Sequence, residues 1–152
     1  MKIVTIKPSF LKEYASDKEM LQKAKRPCVL IVKMAYKGEK LDFAVPFRSN
    51  IHPSEKKEHY FGLPPRNSTK PGYRHGLHYI KMFPVSKTAR QKYRVSGNKF
   101  AELIRDTIDK NEDRIVRECK EYLKNYENGI HPKYSTDIDL LLSKMKASLA
   151  TA

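Results

Sequence analysis

The sequence predicts an α+β fold, in which a small antiparallel sheet carries a basic surface and helices pack around it. Three observations lead there. Residues 28–47 read as an antiparallel hairpin, with an almost continuous apolar run Cys28–Tyr36, a turn at Lys37-Gly38-Glu39-Lys40 and a return strand Leu41–Phe47. From about Asn98 to Tyr126, apolar side chains recur at helical spacing. Charge divides along the same line: residues 1–97 hold 21 Lys/Arg and 7 Asp/Glu, whereas residues 98–152 hold 10 of each. At 152 residues the chain has the length of one domain, so a single domain over 1–152 with a helical C-terminal third is expected.

In order, Lys2-Ile3-Val4-Thr5-Ile6 alternates and is rich in β-branched residues, as a strand requires. Pro8 opens a helix whose apolar positions are Phe10, Leu11, Tyr14, Met20 and Leu21. Lys23, Lys25 and Arg26 suit its C-terminal end, and Pro27 stops it. After the hairpin, Arg48–Arg74 holds four prolines and two glycines and reads as a long loop, a length that is commonly functional. Leu77–Val85 reads as a strand with Tyr79, Lys81 and Phe83 on one face, and Ser86–Arg94 as a short basic helix closed by Ser96-Gly97. The stripe Phe100, Leu103, Ile104, Ile108, Ile115, Cys119, Tyr122, Leu123 and Tyr126 is weakened at Asp109–Asp113, which leaves one bent helix or two. Asn128-Gly129 ends it, and a last helix runs from about Thr136 to Ala147.

The net charge of +14 belongs wholly to the first two thirds, and such a field concentrates polyanions. Nucleic acid is the leading partner; a surplus that serves only solubility is the plainer alternative. No apolar run approaches the length of a membrane span, and no basic amphipathic helix suited to a membrane surface occurs in the basic part. Two cysteines and no CxxC pair give neither a disulfide framework nor structural zinc, so a soluble cytoplasmic protein is expected. Glycine-rich phosphate loops, G-x-S-x-G and HExxH are absent, and acidic residues in the basic part are too scattered for a two-metal nuclease. No metal or cofactor is expected.

The segment Val45-Pro46-Phe47-Arg48-Ser49-Asn50-Ile51-His52 places a cation, a hydroxyl, an amide and an imidazole where a buried strand meets the loop. Metal-free RNA cleavage needs a group to take the 2′-hydroxyl proton, cations for the phosphorane-like charge, and a donor for the leaving oxygen. His52 suits proton transfer near neutral pH, Arg48 suits bidentate phosphate binding, and Ser49 and Asn50 can donate to phosphate. A plain turn, with Ser49 and Asn50 bonded to backbone, is the alternative. Tyr79 with Lys81 offers a base-stacking and phosphate pair, and Lys25-Arg26-Pro27 a phosphate contact. His75 and His78, three apart, make only weak evidence for zinc.

The order of these features resembles the ToxN/AbiQ family of type III toxin–antitoxin endoribonucleases, most closely its CptN branch. Four stretches carry the resemblance: Met1–Ile6 with Phe10, Arg26-Pro27 before an apolar strand, Phe43–Asn50, and Gly76–Val85 with its apolar-Pro-apolar ending. The resemblance implies a compact α+β fold with a strongly twisted antiparallel sheet, and metal-independent RNA cleavage with some preference for A-rich sites, leaving a 2′,3′-cyclic phosphate. It further implies inhibition by a small structured, pseudoknot-like RNA antitoxin cut from a repeat transcript, toxin and RNA forming a closed hetero-oligomeric ring. Cellular or phage RNA would be the substrate. Ser49 takes the position of the family's key serine, Arg26 that of a basic active-site residue, and Phe10 falls where some members have tyrosine. Arg48 stands where others have threonine, and His52 has no counterpart. The candidate catalytic set is therefore Ser49, Arg26, Arg48 and His52, with Phe10, Lys25, Lys33, Asn50, Tyr79 and Lys81 as RNA contacts. A non-catalytic basic RNA-binding protein is the alternative.

Overall fold

The computed structural model describes residues Met1–Thr151. Seven strands, β1 (Lys2–Ile6), β2 (Cys28–Tyr36), β3 (Glu39–Ile51), β4 (Tyr60–Leu63), β5 (Arg74–His78), β6 (Phe83–Pro84) and β7 (Arg90–Lys92), form one sheet. Its order is β4-β5-β3-β2-β1-β7, with β6 also paired to β3, and the ladders are antiparallel. Four helices complete the α+β domain: α1 (Pro8–Glu13), α2 (Lys99–Lys110), α3 (Glu112–Glu127) and α4 (Ile138–Thr151). Among the described residues, no helix is long and apolar enough to cross a membrane.

The apolar run of β2 is continuous because both faces of the sheet are covered. Val29 and Ile31 enter a core with Ile104, Ile108, Ile115, Cys119 and Leu123 of α2 and α3, while Cys28 and Leu30 enter a second core with Leu11, Phe83, Leu141 and Met145. The ladder shifts between Ile31 and Met34, where Lys33 has φ +54° and donates its N–H to Asp42 Oδ1 at 3.0 Å. This extra residue reverses the alternation, so Met34 and Tyr36 rejoin the first core. Both cysteines are buried.

Four readings of the sequence change. The helix that Pro8 opens ends at Glu13, not near Arg26. Asp17 competes with a helical backbone: one carboxylate oxygen accepts the Glu19 N–H, and the other accepts the Asp137 N–H at 2.7 Å. The expected strand Leu77–Val85 breaks at a 3₁₀ turn, Tyr79–Lys81, held where the Thr136 N–H donates to Ile80 O at 2.9 Å. That break lets β5 and β6 pair with different parts of β3. The expected basic helix Ser86–Arg94 is a turn followed by β7, because β1 needs an edge partner and pairing overrides local preference. The long loop contains β4, whose Tyr60, Phe61 and Leu63 are buried. The C-terminal stripe is two helices, divided at Asn111, and α4 starts at Ile138 with Asp137 Oδ1 accepting the Leu140 N–H.

Candidate active site

The β3–β5 ladder pairs Phe47 with Leu77 and Arg48 with Gly76, then slips so that Ile51 meets Arg74. Ser49 and Asn50 thus occupy a bulge at the end of a buried strand, a device that re-aims side chains at a sheet edge. The Lys23–Pro27 segment folds over the same strand end. Arg26 donates from Nη1 to Phe47 O at 2.8 Å, and the Phe47 N–H donates to Pro27 O at 3.1 Å. Between these segments lies an open cleft of about 410 Å³, lined by Lys23, Lys25, Arg26, Pro27, Phe47, Arg48, Ser49, Asn50 and Arg66. Five of the nine lining residues are cations and none is acidic. Such a surface favours a phosphate group.

Burial lowers the Arg26 pKa from its ordinary value; the Cys28 thiol opposes the shift, and the Arg48 charge adds to it. Arg26 Nε is buried without a partner among the described residues, which leaves a donor beside the cleft. Two guanidiniums near enough to repel are eased by a polyanion, and that preference is built into the fold.

Arg48 and Asn50 also line a second, adjoining cleft of about 820 Å³ with His52, Glu55, His59, Tyr73, His78 and Lys81. Here Arg48 Nη1 lies 3.4 Å from His78 Nδ1, His78 Nε2 lies 2.9 Å from Glu55 Oε2, and His59 Nδ1 lies 2.8 Å from Glu55 Oε1. Burial resists ionisation of Glu55, but hydrogen bonds from His78 and His59 outweigh it and hold the carboxyl below its usual range. Burial also pushes His78 down to about 4; Glu55 opposes the shift, while Arg48 and Lys81 add to it. The unfolded chain therefore binds the extra proton first as pH falls. His78 supports full stability above its unfolded pKa near 6.5 and loses it as pH drops towards 4. About 2 kcal/mol of stability should disappear between pH 7 and pH 5 through this group. Urea unfolding at both pH values, compared with His78→Gln, checks this; equal losses in the two proteins would contradict it.

The fold brings together Ser49, Arg26, Arg48, Lys25 and Asn50, and places His52 and Lys81 next door. Asn50 is already engaged, its amide donating to Ser68 O at 3.3 Å and accepting the Lys70 N–H at 2.7 Å, so it braces the loop. His52 is exposed, with Nδ1 2.6 Å from Ser54 Oγ. Lys81 is buried and donates to Tyr134 O at 2.7 Å. Burial lowers its pKa, with Glu19 opposing the shift. Three candidates lie elsewhere. Tyr79 is 0% exposed and bonds Glu118 through its hydroxyl, so it offers no face to a base. Lys33 sits at the other bulge, about 20 Å along the hairpin. Phe10 packs at the margin of the second core. Sequence reasoning missed Lys23 and Arg66 as walls of the cleft, and Glu55, His59 and His78 as a hydrogen-bonded group. The four-residue spacing of Glu55 and His59 was the available signal.

No family model matches the sequence, and no curated protein matches it. Solved structures do match. One comes from work on selective toxin inhibition by a non-coding RNA pseudoknot in bacterial type III toxin–antitoxin systems. Its TM-score is 0.71 at 16% identity, covering 97% of this chain and 97% of that one. A second, from work on a processed non-coding RNA that regulates a bacterial antiviral system, gives 0.70 at 17%, covering 96% and 98%. A third is AbiQ, a lactococcal anti-phage endoribonuclease of the type III toxin–antitoxin system, at 0.72 and 12%, covering 99% and 97%. This chain therefore has the fold of the type III toxin–antitoxin toxins over nearly its whole length.

Proposed function

We propose that the chain is a metal-independent endoribonuclease toxin of a type III toxin–antitoxin system, active in the cytoplasm on cellular or phage RNA with a preference for A-rich sites. The observation that carries this reading is the placement of Ser49 on a bulge in an open cleft walled by Arg26 and Arg48. The phosphate lies against the two guanidiniums, and the Ser49 hydroxyl donates to a non-bridging oxygen. The 2′-oxygen attacks phosphorus and gives up its proton, with His52 in the adjoining cleft as the proton-transfer residue of the reaction. The bond to the 5′-oxygen breaks, that oxygen takes up a proton, and a 2′,3′-cyclic phosphate remains. Arg26 and Arg48 stabilise the added negative charge.

The inhibitor is a structured, pseudoknot-like RNA cut by the toxin from a repeat transcript, and toxin and RNA close into a ring. A ring needs two RNA-facing surfaces on each toxin. A groove of about 780 Å³ at the β1–β7 edge, lined by Lys2, Arg90, Lys92, Arg94 and Arg105 among others, supports the second. The β1–β7 edge is separated from the β3 bulge by β2 in the sheet order.

Purified protein freed of bound RNA and incubated with a labelled A-rich RNA in EDTA is expected to yield fragments ending in a 2′,3′-cyclic phosphate. RNA that stays intact yet tightly bound would replace this reading with that of a non-catalytic RNA-binding protein.

A further inference from the structure

We propose that Glu55 and His78 are a positioning pair that holds the Arg48 guanidinium at the partition between the two clefts. The inference rests on the reading of Arg48 as a phosphate-binding cation. The hydrogen bonds admit one proton arrangement. A guanidinium only donates, so His78 Nδ1, 3.4 Å from Arg48 Nη1, must accept. The single proton of the neutral ring then sits on Nε2 and is donated to Glu55 Oε2 at 2.9 Å. His59 closes the other side of the carboxylate at 2.8 Å, fixing its plane. The chain runs from a carboxylate through an imidazole to a cation, and each member faces the partner its chemistry requires.

The arrangement answers a physical problem. Arg48 has a long side chain with many rotamers and stands near the like charges of Arg26 and Lys81, which both register its field. Left alone, it would swing away from them into solvent. His78 has a side chain only 3% exposed, so it does not reach RNA itself and acts through Arg48. The same bulge that turns out Ser49 begins at Arg48, so holding the guanidinium also sets the width of the cleft beside the serine.

The test is a cycle of variants of the full chain, with cleavage of a labelled A-rich RNA as readout. His78→Ala and Glu55→Gln are each expected to lower kcat about 10²-fold with KM little changed. Glu55→Gln matters because its amide can donate to Nε2, which moves the ring proton to Nδ1 and turns it against the guanidinium. In an Arg48→Ala background, neither substitution should lower the rate further. The same factor lost in both backgrounds would overturn the proposal, as would unchanged kcat in Glu55→Gln. Cleavage left intact by Arg48→Ala would instead remove the reading of Arg48 on which the pair depends. Where the Arg48→Ala rate falls below detection, ¹⁵N shifts of His78 decide. A proton on Nε2 in the protein and on Nδ1 in Glu55→Gln supports the pair, and any other tautomer in the protein overturns it.

Discussion

Ser49→Ala is expected to lower RNA cleavage by about 10²–10³-fold, the usual effect of deleting one donor aimed at a developing oxyanion. The fold should survive intact. Ser49 lies in the β3 bulge, half-buried, between neighbours whose backbone is held by other means: Phe47 bonds Pro27, and Asn50 braces Ser68 and Lys70. Removing one hydroxyl leaves the five cations of the cleft in place, so RNA affinity should change little. Single-turnover cleavage, together with filter binding and a thermal melt, separates these effects. Full cleavage by Ser49→Ala would move the chemistry away from the bulge, and lost binding would assign the hydroxyl to grip rather than to catalysis.

Gly76→Ala is expected to cost about 3 kcal/mol of stability, at the upper end for forcing volume into a packed region. A Cβ on Gly76 would stand 2.3 Å from Phe61 O and 3.2 Å from Phe61 C. Both are backbone atoms of β4, so no rotamer change relieves the clash. Gly76 also pairs with Arg48 on β3 and with Gly62 on β4, so the strain would open the ladder directly behind the cleft. Urea unfolding should show a lower midpoint with an unchanged slope, and cleavage at 37 °C should fall with the folded fraction. A midpoint equal to that of the parent would mean that β4 yields without strain.

Much of this architecture was legible in the order of residues. The hairpin of β2 and β3 was readable because an apolar run, a glycine turn and a second apolar run are all local signals. Arg48, Ser49 and Asn50 were readable as a group because they are local to one polar strand end, whereas Arg26, which lines the same cleft, was joined to them only through the family resemblance. The misreadings share a cause. Asp17, in the turn that follows α1, accepts the N–H of Asp137, 120 residues away, and Thr136 bonds the turn at Ile80, 56 residues away. No window of sequence contains both partners. Tyr79 and Lys81 looked like neighbours on one exposed face because a period of two was assumed, and the turn that buries them is imposed from the C-terminal third. The Glu55–His78 pair was hidden likewise, since strand β4 and the loop lie between its members.

The pairing of Val4 with Lys92 has a kinetic consequence. The outer neighbour of β1 follows it by nearly ninety residues, and α2 and α3, which cover the Val29 and Ile31 face of β2, come later still. Loop closure must therefore precede most of the energetic return, which places this chain among the slow-folding, non-local topologies. During synthesis the cationic hairpin would wait uncovered until the neutral third emerges. A nascent chain cannot complete the cleft lined by Lys81 until Tyr134 and Thr136 have emerged, because they hold the turn that carries Lys81.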